Sequence, residues 1–431
     1  MSTQVPASVL SSLDVAAGWR VEVAPEAKLR AILEISRNLG TALDMNVVLP
    51  KILESLFTLF PRADRGFILL RDPNTGQLVP RAVRQRREKP GEKPVVSRTI
   101  VNYALHTGQA VLCADVGNDD RFDLSLSIRQ MQLRSVMCVP LLGQNGSGLG
   151  VIQIDTLGKQ YLFGQEDLDV MAGAATQAAR AVEVAQLHQQ LRDLESATQI
   201  QKSFLPDAPP SVPGLHFFDH YSPARHVGGD YYDYIPLPGN RLAIALGDVS
   251  GKGVPAALLM ARLSAAARFC LATAPSVAAA VRELNLSLMR TGTEDRFATF
   301  LVIVLDLTRY TMTLVNAGHM PPLRCRPAGG EPQEIGGNEA GLPLATFDQP
   351  YDEVVVPLER GDTYLLYTDG VTEARNETGA FYGMERLRKV IERTPADPAV
   401  LGHTIVEDVQ AFTGDRPPAD DIAMVCFSRE A

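Results

Sequence analysis

The spacing of apolar positions changes several times along this chain, and each change predicts a different element. Leu29, Ile32, Leu33, Ile35 and Leu39 recur at helical intervals, and Gly40 suits a stop. A second helical stretch covers 47–60 and ends at Pro61. The period then shortens to that of strands at 65–70, 77–83, 110–112, 135–142 and 149–154, with a turn at Asp72-Pro-Asn-Thr-Gly76. A closing helix starts at Gln165. Helices followed by antiparallel strands and a closing helix predict an α+β domain. Residues 1–26 are small and polar, carry no period, and read as a flexible N-terminal tail.

The closing helix has no glycine or proline from Gly173 until Pro206. Val184, Leu187, Leu191 and Leu194 keep a spacing of three and four, which Thr198, Gln201 and Leu205 continue with polar substitutions. Two good heptads fall short of the three or four that establish a coiled coil. Two readings stand: one helix packed on a domain face, or a dimeric signalling helix whose polar seam positions weaken the pairing.

In the C-terminal half, the apolar run 242–246 stops at Gly247-Asp248, and a helix-prone stretch follows from Ala256. Glycine and lysine here suggest a nucleotide loop, but only three residues separate Gly247 from Gly251, and Gly253 follows Lys252. A phosphate-binding P-loop needs four residues there and Ser or Thr after the lysine, so that reading fails. Acidic residues instead recur at the ends of strand-like runs: Gly228-Gly-Asp230-Tyr-Tyr-Asp233, then Asp248, then Asp369-Gly370, then Asp420-Asp421 before the run 422–427. Asp and Gly favour turns at strand ends, which explains any one of these alone. Four such clusters without histidine at ligand spacing suit hard, oxygen-seeking cations, Mg²⁺ or Mn²⁺ rather than zinc. Two such ions can share one carboxylate and activate a water.

Length and composition narrow the classes. A chain of 431 residues implies two or three domains, and 45% apolar with 21% charged residues is ordinary for a globular protein. The net charge of −9 is spread along the chain, which argues against nucleic acid as a partner. No window resembles a membrane span or a signal peptide, so a cytoplasmic protein is expected. The five cysteines are scattered and mostly inside apolar runs, and read as buried thiols. Arg81, Arg84, Arg86, Arg87, Lys89 and Lys93 form either an anion site or a solvated loop.

Two family resemblances follow from particular residues. Asp64-Arg-Gly-Phe-Ile-Leu-Leu70, Cys138-Val-Pro-Leu-Leu142, Leu149-Gly-Val-Ile-Gln-Ile-Asp155 and Phe163-Gly-Gln-Glu-Asp-Leu168 resemble, in order and spacing, a GAF domain. The resemblance implies a sensor that binds a small ligand, or none, and that can dimerise. Further on come Ala197-Thr-Gln-Ile-Gln-Lys-Ser-Phe-Leu-Pro206, Val227-Gly-Gly-Asp-Tyr-Tyr-Asp233, Gly247-Asp-Val-Ser-Gly-Lys-Gly253, Asn316-Ala-Gly-His319 and Leu366-Tyr-Thr-Asp-Gly370. With Asp420-Asp-Ile422, they resemble the metal-dependent PPM (protein phosphatase 2C-like) phosphatases, in the bacterial branch of stage II sporulation protein E and the stress-response serine phosphatases.

The second resemblance implies an α-β-β-α sandwich holding two divalent cations, Mn²⁺ or Mg²⁺. Asp248 would bridge both, beside the backbone carbonyl of Val249. Asp230 would complete one site, Asp369 and Asp420 the other. It implies hydrolysis of phosphoserine or phosphothreonine by water, without a covalent intermediate. The implied substrate is a phosphorylated anti-sigma-factor antagonist or a similar partner-switching protein. Ser250 and Lys252 stand where eukaryotic members carry a histidine, and no arginine matches their phosphate-binding one, so leaving-group protonation is unassigned. His319 reads as loop structure rather than a catalytic group.

The expected organisation is a tail at 1–26, a GAF-like sensor at 27–184, a connecting helix at 185–205 and the phosphatase domain at 206–431, in a homodimer. The competing reading is a catalytically weak scaffold that binds phosphoprotein through the same surface.

Overall fold

The computed structural model describes residues 9–14, 44–73, 75–87, 96–114, 134–157, 161–290, 296–327 and 329–430. The helix expected over 27–39, and Lys89 and Lys93, lie outside these residues. The chain divides into two compact units, 1–192 and 193–431.

The N-terminal unit begins with β1 (Val9–Asp14), inside the stretch expected to be a tail, paired antiparallel with a later strand. Helix α1 (Met45–Leu59) follows, with the Asp44 carboxylate accepting from the Asn46 amide at its start. Then come β2 (Arg65–Arg71), β3 (Leu78–Gln85), α2 (Arg98–Thr107), β4 (Gln109–Ala114), β5 (Ser135–Leu142) and β6 (Gly148–Thr156). They form one antiparallel sheet in the order β1-β4-β5-β6-β2-β3. The sheet is apolar on both faces because alternate residues of β2 go opposite ways. Ile68 and Leu70 pack with Ile52, Leu53 and Leu56 of α1, whereas Phe67 and Leu69 pack with Ile100, Val101 and Ala104 of α2. Sequence periodicity missed α2, a helix of only ten residues.

Helix α3 (Gln165–Lys202) runs unbroken, as the absence of Gly and Pro after Gly173 predicts. Leu168, Met171, Ala175, Ala178 and Val182 bury against the first face of the sheet. Beyond them Val184, Leu187 and Leu191 stand exposed, at 53%, 58% and 41%. That apolar stripe is not covered by its own unit. Arg86, from the basic cluster, donates to the carbonyls of Ala63 and Phe57 at 2.7 and 3.1 Å. It ties down the end of α1 while remaining exposed.

The C-terminal unit is a sandwich of two five-stranded antiparallel sheets. Its elements are β7 (Leu215–Ser222), β8 (Tyr231–Leu237), β9 (Arg241–Val249), α4 (Val254–Thr273), α5 (Val277–Met289), β10 (Ala298–Asp306), β11 (Thr311–Ala317), β12 (Leu323–Cys325) and β13 (Gln333–Glu334). They continue with β14 (Val354–Pro357), β15 (Thr363–Tyr367), α6 (Asp369–Thr372), α7 (Gly383–Arg393), α8 (Pro398–Thr413) and β16 (Ile422–Arg429). The sheets run β14-β11-β10-β9-β8 and β13-β12-β15-β16-β7. Ile244, Leu246, Leu301 and Ile303 of the first meet Tyr364, Leu366, Val425 and Phe427 of the second. The outer face of the first sheet is covered by α4 and α5, that of the second by α7 and α8.

Helix α4 has the length and apolarity of a membrane span, yet half of its most apolar window is buried. Leu259, Met260, Leu263 and Ala267 fill the core beneath it. All five cysteines are buried thiols outside any disulfide.

Candidate active site

Antiparallel pairing places the start of one strand beside the end of the next, and that rule assembles the acidic residues. Asp230 directly precedes β8 and Asp248 lies near the end of β9, and these strands pair from Tyr231↔Gly247 onward. Asp369 follows β15 after Thr368, and Asp420 lies just before β16, with Tyr367 opposite Met424. Each pair therefore meets where the strands of its own sheet end, and face-to-face packing brings these strand ends together.

The electrostatic couplings record that meeting. Burial first, then the charges of Asp369 and Asp420, push the Asp248 carboxyl up to about 7. Asp230 is 1% exposed. Burial first and the Asp248 charge second raise it well above the carboxylate range, with Asp421 and Asp369 adding to this. Asp369 is raised by burial and by Asp420. Like charges held out of water each favour a bound proton or a cation. The carbonyl of Val249 lies beside Asp230's loop, since a Cβ on Gly229 would come within 2.8 Å of it and 3.6 Å of Asp248 Oδ1.

Surrounding groups hold these carboxylates. The Thr368 hydroxyl donates to Asp230 Oδ2 at 2.7 Å and accepts from the Ala423 amide at 3.0 Å. Lys252 Nζ lies 2.8 Å from Asp420 Oδ2 and donates to the Ala419 carbonyl at 2.5 Å. Asp420 Oδ1 accepts the Asp421 amide. Asp421 is 7% exposed and accepts the amides of Ala224 at 2.7 Å and Gly229 at 2.5 Å. It pins the loop that leads into Asp230. Adjacent in sequence, Asp420 is held by Lys252, while Asp421 ties backbone together and also adds its charge to Asp230 and Asp248.

Close approach makes two glycines necessary. A Cβ on Gly370 would come within 1.8 Å of the Asp421 carbonyl, and one on Gly228 within 2.6 Å of both Asp421 Oδ2 and Tyr221 Oη.

Two other motif residues have structural roles, as expected for His319. Asp233, quoted with Asp230 in one motif, is fully buried away from the cluster, where Arg268 of α4 donates two bonds of 2.7 Å to it and Tyr231 a third. It anchors a helix. His319 is 6% exposed, its Nδ1 2.7 Å from the Thr299 hydroxyl and its amide bonded to Asn316 Oδ1. Burial drives its pKa down to about 4, so it stays neutral.

The donor set can be tested against a divalent cation. Asp230, Asp248, Asp369, Asp420 and the Val249 carbonyl are all hard oxygen donors, several strained toward protonation by mutual repulsion that a cation relieves. The Tyr221 hydroxyl is buried beside them without a hydrogen-bond partner among the described residues. Among those residues no three acidic, histidine or cysteine side chains are already drawn in to hold an ion. The chemistry of the set fits Mg²⁺ or Mn²⁺.

Comparison with known proteins agrees with both units. Residues 44–182 match the GAF domain model, and residues 238–430 match that of stage II sporulation protein E (SpoIIE). Protein IcfG of Synechocystis sp. is 27% identical over 266 residues, covering 55% of this chain and 41% of the relative. Phosphoserine phosphatase RsbU of Bacillus subtilis is 27% identical over 254 residues, covering 57% of this chain and 75% of the relative. This chain thus spans less than half of the first of these relatives. Among solved structures, the SiaA-PP2C domain of Pseudomonas aeruginosa superposes with a TM-score of 0.50 at 26% identity, over 57% of this chain and 99% of that one.

Proposed function

We propose, for a chain built of a GAF domain followed by a SpoIIE-type PP2C phosphatase domain, that it hydrolyses phosphoserine or phosphothreonine on a protein substrate. The observation that carries this reading is the meeting of Asp230, Asp248, Asp369 and Asp420, from four separate stretches of chain, at one edge of the sandwich. Asp248 faces the other three and is the natural bridge between two divalent cations. Asp230 would complete one site and Asp369 with Asp420 the other, with the Val249 carbonyl beside Asp248. Bound there, Mg²⁺ or Mn²⁺ would neutralise the phosphoryl oxygens and activate a water for attack on phosphorus.

The protein's own groups arrange the rest. Thr368 fixes Asp230 by its Oδ2. Lys252 holds Asp420 by Oδ2 and adds a positive charge at the rim, near where a phosphoryl group would approach. His319 is not placed to protonate the leaving oxygen, being buried, neutral and bonded to Thr299.

The substrate class we infer is a phosphorylated anti-sigma-factor antagonist or similar partner-switching protein, a reading supported by the likeness to phosphoserine phosphatase RsbU. In this reading the protein works in the cytoplasm as a homodimer joined along Val184, Leu187 and Leu191, and the GAF domain senses a small ligand or serves only to dimerise. The test is release of phosphate from a phosphoserine protein in Mn²⁺ buffer. Turnover separates an enzyme from a scaffold that only binds phosphoprotein.

A further inference from the structure

The last turns of α3 carry a contact that sequence periodicity misassigned. Gln201 and Thr198 continue the spacing of the exposed apolar stripe and so read as its polar end. In the folded unit Gln201 is instead 6% exposed, and both ends of its carboxamide bind a single residue. Nε2 donates to the Gly228 carbonyl at 2.6 Å, and Oε1 accepts the Gly228 amide at 3.0 Å. Thr198, three residues earlier on the same face, has its hydroxyl 2.6 Å from the His226 carbonyl. Ile200, between them in sequence, points outward at 62% exposure.

Gly228 lies two residues before Asp230. Gly228 and Gly229 have no side chains to stiffen them, so their path is set from outside. Gln201 grips Gly228, and Asp421 grips Gly229 and crowds the other side of Gly228. A fully satisfied, buried bidentate amide has little tolerance for displacement. A slip of one residue along α3 would rotate Gln201 by about 100° around the helix and break both bonds.

We propose that Gln201 is a positioning residue for Asp230, coupling the rotation and axial position of the end of α3 to the place of that carboxylate. The inference rests on the reading of Asp230 as a cation ligand and adds how its site is controlled. Outer contacts of this kind change metal affinity by roughly ten- to a hundredfold when removed.

The experiment uses the full chain and Mn²⁺ alone, counting free ion by electron paramagnetic resonance beside the rate on p-nitrophenyl phosphate. Gln201→Ala weakens Mn²⁺ binding at one class of site about tenfold and raises the Mn²⁺ needed for half-maximal rate by the same factor, with kcat at saturating Mn²⁺ within about twofold of wild type. Gln201→Glu keeps the acceptor for the Gly228 amide but sets a carboxylate against its carbonyl, and is impaired at least as much. Thr198→Ala, a milder change should Gln201→Ala fold poorly, moves both readouts the same way by less. Ile200→Ala, on the same turn, leaves both unchanged. Folded Gln201 and Thr198 variants with wild-type Mn²⁺ affinity, whatever their melting temperature, overturn the coupling. A wild-type chain that binds no Mn²⁺ overturns the metal reading itself, and the coupling with it.

Discussion

The hydroxyl of Thr368 spans the two sheets: it donates to Asp230 Oδ2 at 2.7 Å and accepts the amide of Ala423. Asp230 precedes β8 of the first sheet, and Thr368 links β15 and α6 beside the second. One hydrogen bond therefore fixes a carboxylate of one sheet against the backbone of the other.

Thr368→Val removes that bond while keeping the side chain's shape. It is expected to raise the Mn²⁺ concentration for half-maximal phosphatase activity by about tenfold, in the range that outer contacts to ligands supply. Thr368→Ser restores the hydroxyl and most of the affinity. An unchanged Mn²⁺ requirement in the valine variant would remove Thr368 from the site.

Chelation by EDTA should abolish phosphate release, and added Mn²⁺ or Mg²⁺ should restore it. Asp248→Asn should be the most damaging single change among the four aspartates, lowering kcat by more than about a hundredfold, beyond what outer contacts give. Its carboxylate couples to the other three, and it is the residue assigned to both cations. Full activity in metal-free buffer would end this reading.

The exposed stripe on α3 predicts assembly. Replacing Leu187 and Leu191 together with Glu puts charges where a seam needs apolar side chains, and should halve the mass seen by sedimentation and alter the rate. Dimer loss with an unchanged rate would reduce the helix to a tether. The seam stops short of Thr198 and Gln201, which bind the C-terminal unit's own backbone.

His319 predicts a pH dependence of stability. Its folded pKa of about 4 lies below the usual value near 6.5. As pH falls through 6.5 the unfolded chain takes up a proton that the folded chain refuses until about 4, so stability is lost across that window. Between pH 7 and 5 the loss comes to about 2 kcal/mol. His319→Gln, which keeps a polar partner for Thr299, should lack that part of the slope when melting temperatures are compared at the two pH values. Parallel slopes would mean that the imidazole titrates normally.

Local pattern carried much of this protein. Strand-length apolar runs located five strands of the first sheet and a few of the C-terminal unit, the lack of Gly and Pro after Gly173 predicted an unbroken α3, and aspartates at strand ends marked the cluster. These signals depend only on neighbours in sequence, which is why they were legible. Periodicity reports that a face is covered but not by what. So Gln201 looked like a weak seam residue until the Gly228 peptide appeared against it. Asp420 and Asp421 are chemically identical and adjacent, as are Asp230 and Asp233 within one motif. Only strand register and packing, which fix where each carboxylate points, made one of each pair face the cluster and the other hold backbone or a helix. Helices α2, α7 and α8 cover sheet faces, and α8 also carries its own start signal in Asp397, whose carboxylate accepts the Ala399 and Val400 amides.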